Sequence, residues 1–274
     1  MATGFDSKQV INIIAEKVGT VHSPLLVLTE DYDEYYLKTP ANSSPELSII
    51  NEFLCTNLLH YWQISSPDAN ILIVDPSIID RTLSSNHKKE YFKRSCFGSK
   101  SVMDSTEFTV AMSLSSKHDY NKFKRPDDIL KIGLFDIWVE NDDRKPSNPN
   151  LLIKNDDQGI EFYPIDHAFI FGTRKYTDLN PSLDLAVSFN DSILYTDFAQ
   201  KVYEYTLKDN SDWLVEIREY FYLAIDNCKI NYKAIIKSLP PDLGFTKKDG
   251  ESLFDFLFSD ERNKKVFTDF SGRF

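Results

Sequence analysis

The sequence predicts an α+β fold in two lobes, a small β-rich lobe over residues 1–102 and a mostly helical lobe over 103–274. Three features predict it. Short β-branched and aromatic runs, bounded by turn residues, fill the first hundred positions around one long apolar helix pattern. A strongly apolar helix followed by a strand–turn–strand pattern occupies the middle. From residue 193 onward apolar residues recur at helical spacing. At 274 residues, 42% hydrophobic and 14% aromatic, the chain is long enough for a sizeable core and too apolar for disorder.

Taken in order, residues 9–18 carry Ile11, Ile13 and Ile14 and predict a short amphipathic helix closed by Gly19. Pro-Leu-Leu-Val-Leu-Thr at 24–29 reads as a strand, 30–34 as an acidic turn, and Tyr35-Tyr36-Leu37-Lys38 as the return strand of a hairpin. Ser44-Pro45-Glu46 is a helix start, with serine as N-cap, proline at the first helical position and glutamate in the first turn. The helix that follows, over 47–62, turns Ile49, Ile50, Phe53, Leu54 and Leu58 toward a core. Pro67-Asp68 breaks the chain before a buried strand at 69–74, and a further strand is expected around 96–102. Pro126-Asp127-Asp128 opens an apolar helix through Ile129, Ile132, Leu134, Phe135, Trp138 and Val139. Residues 151–153 and 162–165 then form a hairpin about the turn 155–159, and helices are expected at 193–206, 213–228, 232–239, 253–258 and 261–270.

Composition excludes several function classes. A net charge of −11 argues against bulk binding to nucleic acid, which needs clustered Lys and Arg. The charge is uneven: residues 81–125 hold ten Lys/Arg against four Asp/Glu, a local +6. That stretch is either a solvated face or a docking surface for an acidic partner. Three cysteines without paired spacing give neither a disulfide frame nor a zinc site, and the histidines are scattered. The N-terminus lacks a secretory signal pattern, and no apolar run reaches the roughly 18 residues of a membrane span. The expectation is a soluble, cytoplasmic protein without a membrane partner. The nucleophile-elbow, phosphate-loop-lysine and H-E-x-x-H patterns are missing from the sequence.

The chemistry concentrates between residues 141 and 168. Asp143 stands five positions before Asn148, and the hairpin that follows returns on Asp166. ATP-dependent phosphotransferases place a base, a magnesium-binding amide and a magnesium-binding carboxylate in that order. Mg²⁺ takes oxygen ligands, usually one or two carboxylates together with phosphate oxygens. A hairpin brings the two ligands together across eighteen positions of sequence. Arg144 would lie near either a transferred phosphate or a neighbouring carboxylate, and His167 reads as structural. Upstream, Lys38 at the end of an apolar strand and Glu52 in the next helix match the lysine–glutamate clamp on the ATP phosphates. Gly19, Thr20 and Ser23 stand where a nucleotide loop belongs, although G-x-G-x-x-G is absent. The segment Asn42-Ser43-Ser44 offers a second phosphate contact at a helix start.

The run from Trp138 through Asn150 to Asp166-His167-Ala168 resembles the HipA-like kinase domains of bacteria, within the protein-kinase-like superfold. The hairpin at 23–38, the Glu52 helix, Cys96-Phe97-Gly98-Ser99 and Leu239-Pro240-Pro241 support the resemblance along most of the chain. It implies an ATP- and Mg²⁺-dependent Ser/Thr kinase with a protein acceptor, often one half of a toxin–antitoxin or defence module with a cognate antitoxin. By motif, Asp143 is the base, Asn148 and Asp166 are the metal ligands, and Lys38 binds ATP phosphates; Arg144, next to the base, is counted with it as catalytic. The His-Arg-Asp order, an Asp-Phe-Gly at Asp166 and a later Ala-Pro-Glu are all missing, which argues against a phosphorylated activation loop of the eukaryotic kind. Two rivals stay open: a kinase of small-molecule or lipid hydroxyls, and a pseudokinase scaffold.

Overall fold

Five short strands near the N-terminus close into a barrel: β1 (Ser7–Glu16), β2 (Leu25–Thr29), β3 (Glu34–Lys38), β4 (Ala69–Ile73) and β5 (Cys96–Lys100). Their order is β1-β2-β3-β5-β4, and the parallel pairing of β1 with β4, from Ser7 opposite Ile71 to Gln9 opposite Ile73, completes the ring. The computed structural model describes residues 4–17, 23–40, 47–79, 83, 87–183, 185, 187 and 192–274. By contact density the chain forms two units, one of residues 1–57, 67–102 and 233–246, the other of 58–66, 103–232 and 247–274.

Alternation fills the barrel of the first unit. Leu25 and Val27 of β2, Tyr35 and Leu37 of β3, Leu72 and Cys96 point into one apolar cluster with Val10. Closing the ring pairs the strand edges that would otherwise invite association. Gly98 is required by close packing, because a Cβ there would lie 2.5 Å from Leu72 Cγ. Helix α1 (Leu47–Tyr61) buries Ile49, Ile50, Phe53 and Leu54 as its spacing predicts, and Phe53 meets Phe97 edge-on at 5.0 Å. Its expected start at Ser44-Pro45-Glu46 falls outside the described residues. The Pro-Pro segment near residue 240 is tied in when Ser95 donates its N–H and hydroxyl to Asp242 at 2.7 and 2.8 Å.

The helix expected at 9–18 is instead the strand β1. Two irregularities in its pairing with β2, between Val10 and Asn12 and between Ile13 and Ala15, explain the misreading. Each breaks the two-residue alternation of a strand, so that the isoleucines fall at spacings that mimic a helix. Ile11 and Ile14 stay 45% exposed, and their β-branched side chains suit an extended chain.

The second unit is organised around α3 (Asp128–Trp138), in which every residue except Lys131 is buried. A helix apolar on all sides belongs inside a core. Preceding it are the short α2 (Lys117–Tyr120) and strand β6 (Ser105–Glu107); following it are β7 (Leu151–Asp156) and β8 (Gly159–Pro164), in an antiparallel sheet ordered β6-β7-β8. Gly159, at φ 124°, turns the β7–β8 hairpin where a Cβ would meet the Lys122 carbonyl at 2.7 Å. Phe108, Phe123, Phe162 and Phe198 pack beneath this sheet, Phe123 stacking on Phe162 at 4.9 Å.

Helices α4 (Asp197–Asp209), α5 (Trp213–Lys237), α6 (Lys247–Leu257) and α7 (Asp260–Ser271) follow. Residues 213–228 and 232–239 were expected as two helices and form one of 25 residues. Lys229-Ile230-Asn231 reads as a polar break, yet Asn231 donates back to the Asn227 carbonyl at 2.9 Å without interrupting the turn. The helix expected from 193 begins instead with a separate 3₁₀ turn, Ile193–Tyr195, after which Thr196 caps α4 through the Ala199 N–H. Helix α6 starts six residues earlier than its apolar pattern shows, at Lys247 rather than 253, because it opens on the polar, exposed Lys247 and Lys248. No helix among the described residues is long and apolar enough to cross a membrane.

Half of the ten basic residues of 81–125 are met by acids within the chain. Lys100 pairs with Asp33, Lys117 with Asp209, Lys122 with Asp119, Lys124 with Asp156 and Glu161, and Arg125 with Asp128. Such half-exposed pairs add little stability, but they offset part of the local positive charge.

Candidate active site

In the first unit, the hairpin of β2 and β3 delivers Lys38 from the strand end, and α1 delivers Glu52. Their side chains, 9% and 3% exposed, form an ion pair from Lys38 Nζ to Glu52 Oε1. The pair follows from local chemistry: the buried residue after Leu37 on β3 is a lysine, and a buried ammonium needs an anion. Ser23 lies just before β2, buried at 3% exposure with a left-handed φ of 39°. Gly19 and Thr20 lie outside the described residues.

The second unit holds the loop 141–150. Helix α3 ends at Trp138, and Glu140 turns the chain with φ 50°. Asn141, fully buried, donates its amide to Asp136 Oδ1 at 3.0 Å and accepts the Asp143 N–H at 3.3 Å. Lys145, Pro146, Ser147 and Asn148 then make a tight turn closed by two backbone bonds, Lys145 N–H to the Asn148 carbonyl at 3.2 Å and the reverse at 2.9 Å. Proline at the second position of such a turn has its φ already set. Across this turn the Asn148 amide donates to the Asp143 carbonyl at 3.3 Å. The Asn150 amide donates to the Asp143 carboxylate, Oδ2, at 3.0 Å.

Arg144 is the scaffold of the loop. It is 1% exposed, and of the two expected neighbours, phosphate or carboxylate, the geometry supplies the carboxylate. Nε lies 2.9 Å from Asp136 Oδ2, one terminal nitrogen donates to the Pro149 carbonyl at 3.2 Å and to that of Asn150, and the other reaches His167 Nε2 at 2.8 Å. A guanidinium only donates, so His167 Nε2 is the accepting partner in this bond. His167 thus has the structural place expected for it. Burial pushes the Asp136 carboxyl up to about 6, against the pull of Arg144 and the Asn141 amide.

The β7–β8 hairpin brings the far end of the motif back. Leu151 pairs with Pro164, and the Ile165 N–H donates to the Asn150 carbonyl at 3.0 Å. Asp166 follows at once, half-buried with a left-handed φ of 59°, a conformation that aspartate tolerates better than most residues. The loop that carries Asp143 and Asn148 and the strand end that carries Asp166 are therefore joined through Asn150.

The donor set fits a hard divalent ion with phosphate oxygens completing its shell. Because the Asn148 NH₂ is committed to a backbone carbonyl, its Oδ1 is the atom of that side chain that a cation could take. Among the described residues no group of three or more His, Cys, Asp or Glu stands ready to enclose a metal. Sequence reasoning did not single out Asp136, Asn141 and Asn150, which hold the loop. The asparagines look like ordinary turn residues, and only the cluster of polar residues at the end of an apolar helix marked them.

The HipA-like kinase family model matches residues 10–242. Among solved structures, the Helicobacter pylori proinflammatory kinase CtkA is similar over 98% of this chain and 97% of its own, with a TM-score of 0.57 at 12% identity. The Shewanella oneidensis HipA, in a structure with HipB and operator DNA, aligns over 95% of this chain and 65% of its own, with a TM-score of 0.42 at 14% identity. No curated protein matches the sequence. The resemblance to CtkA speaks for the fold.

Proposed function

The chain belongs to the HipA-like kinase family, and on that premise we propose that it transfers the γ-phosphate of ATP, with Mg²⁺, to a serine or threonine hydroxyl of a protein. The first unit is read as the nucleotide lobe and the second as the catalytic lobe of a two-lobed kinase. The single observation that carries the reading is the Asn150-to-Asp143 bond of 3.0 Å, which aims a carboxylate in a loop otherwise closed by Asn148.

Each residue has a role in this reading. Lys38, steadied by Glu52, neutralises the α- and β-phosphates. Asn148 and Asp166 would hold the magnesium, which supplies charge neutralisation for the triphosphate. Asp143 accepts the hydrogen bond of the substrate hydroxyl and orients it in line with the phosphorus. Arg144 is a positioning residue, since its nitrogens are engaged by Asp136, two carbonyls and His167. Ser23, with Gly19 and Thr20, contributes the nucleotide loop. A cytoplasmic location and a neutralising protein partner are part of the same proposal, through the resemblance to HipA-like toxins.

The test is incubation of the protein with γ-labelled Mg-ATP and a cell extract, with the labelled species identified by mass spectrometry. Label on serine or threonine, lost in Asp143→Asn, supports the proposal. Label on a lipid or small molecule redirects it to that acceptor class, and nucleotide binding without transfer makes the chain a scaffold.

A further inference from the structure

A left-handed turn stands just beyond Asp166. Phe171, Gly172 and Thr173 have φ values of 58°, 58° and 57°. Glycine adopts this conformation freely, but an aromatic and a β-branched residue do so only where their surroundings impose it. The constraint is visible. The Phe171 N–H donates to the Val139 carbonyl at 2.7 Å and the Gly172 N–H to the Glu140 carbonyl at 3.3 Å. The Glu140 side chain, 2% exposed, is paired with Arg174 at the end of the turn and with Arg262 of α7 at 3.2 Å. Arg174 closes the turn by donating Nε to the Phe171 carbonyl at 2.9 Å. Arg262 donates to the Trp138 carbonyl at 2.6 Å and lies 3.9 Å over the Phe256 ring.

Resting on the kinase reading, we propose that Glu140 and Arg174 are positioning residues that latch the segment after Asp166 and thereby set the metal-binding carboxylate. Glu140 is joined on both sides to the machinery. The next residue, Asn141, holds the Asp143 N–H, and the turn that Glu140 grips begins five positions after Asp166. Arginines gathered on an anion are the device that orders a regulated loop when a phosphate is added. In this chain the anion is built in as Glu140.

Arg174→Met removes the partner on the segment and spares the buried Glu140–Arg262 pair, so the fold survives. Glu140→Gln is the second variant. Half-maximal turnover in Arg174→Met should need at least about fivefold more Mg²⁺ than in the wild type, and high Mg²⁺ should restore most of the rate. Asp143→Asn should gain nothing from added Mg²⁺. An unchanged Mg²⁺ midpoint in both latch variants overturns the proposal. Trypsin cleavage after the exposed Lys175 tests the latch without any activity. It should quicken by about tenfold or more in Arg174→Met at an unchanged melting temperature. Equal cleavage in wild type and both variants overturns the latch, whereas absence of phosphotransfer from the wild type with accelerated cleavage in the variants removes the kinase reading and leaves the latch standing.

Discussion

Two buried ion pairs, one in each unit, differ in how their cations are engaged. Lys38 and Glu52 join a strand end to a helix through a compact ammonium, with side chains 9% and 3% exposed. Arg144 and Asp136 join a helix to a loop through a planar guanidinium, with side chains 0% and 1% exposed. An ammonium on a flexible stem can shift toward a phosphate and back. A guanidinium held by a carboxylate, two carbonyls and a histidine nitrogen is fixed by geometry. The difference teaches that a charged residue inside the proposed catalytic motif can serve the loop's shape, as Arg144 does, while the proposed phosphate contact falls to the more adaptable Lys38.

The comparison breaks most readily at Arg144. Arg144→Met leaves Asp136 buried without its cation, a loss of about 3–5 kcal/mol. Thermal melting should fall by at least about 6 °C. A melt within a degree or two of wild type would mean that the loop does not depend on this pair.

Asp143 should give the next largest effect and the cleanest one. Asp143→Asn keeps an acceptor for the Asn150 amide, so the loop survives while the charge is lost. Phosphotransfer is expected to drop by about 10²-fold with Mg-ATP affinity retained in calorimetry. Asn148→Ala should weaken metal-dependent binding and transfer together. Wild-type transfer by Asp143→Asn would move the base elsewhere, with exposed Asp142 the first alternative.

Lys38→Met sharpens the contrast from the other side. Turnover or nucleotide affinity should fall at least about tenfold, roughly 1.4 kcal/mol, with a smaller melting shift than that of Arg144→Met. If Lys38→Met costs more stability than activity, the two pairs are alike and Lys38 is scaffold.

The most gradual effect is a pH dependence from Asp136. Its folded carboxyl, raised by burial to about 6, binds a proton more tightly than the same group in the unfolded chain, near 4. Its contribution to stability is therefore fully present below about pH 4 and is lost as pH rises through about 6, on the order of 3 kcal/mol in all. Urea unfolding at pH 4 to 7 should show a flatter stability profile for Asp136→Asn than for wild type. Identical profiles would place the carboxyl at its ordinary value.

Much of this was legible in the sequence. The hairpin of β2 and β3, the helix carrying Glu52, the apolar α3 and the β7–β8 hairpin all appear where local pattern puts them, because each is specified by a short run of apolar spacing and a turn residue. The family was legible only as a resemblance, carried by the run from Trp138 through Asn150 to Asp166-His167-Ala168. What sequence could not decide were properties that depend on partners distant in the chain. Strand β1 looked helical since its two pairing irregularities exist only against β2. The parallel contact of β1 with β4 that closes the barrel has no local signal. The place of Arg144 depends on Asp136, eight positions earlier, and on His167, twenty-three later. The left-handed turn at Phe171–Thr173 is invisible in the composition of those residues, whose intrinsic preference runs the other way. It exists because Glu140, Arg174 and Arg262 meet in a buried cluster, and a charge cluster out of water is stable only when its members arrive together.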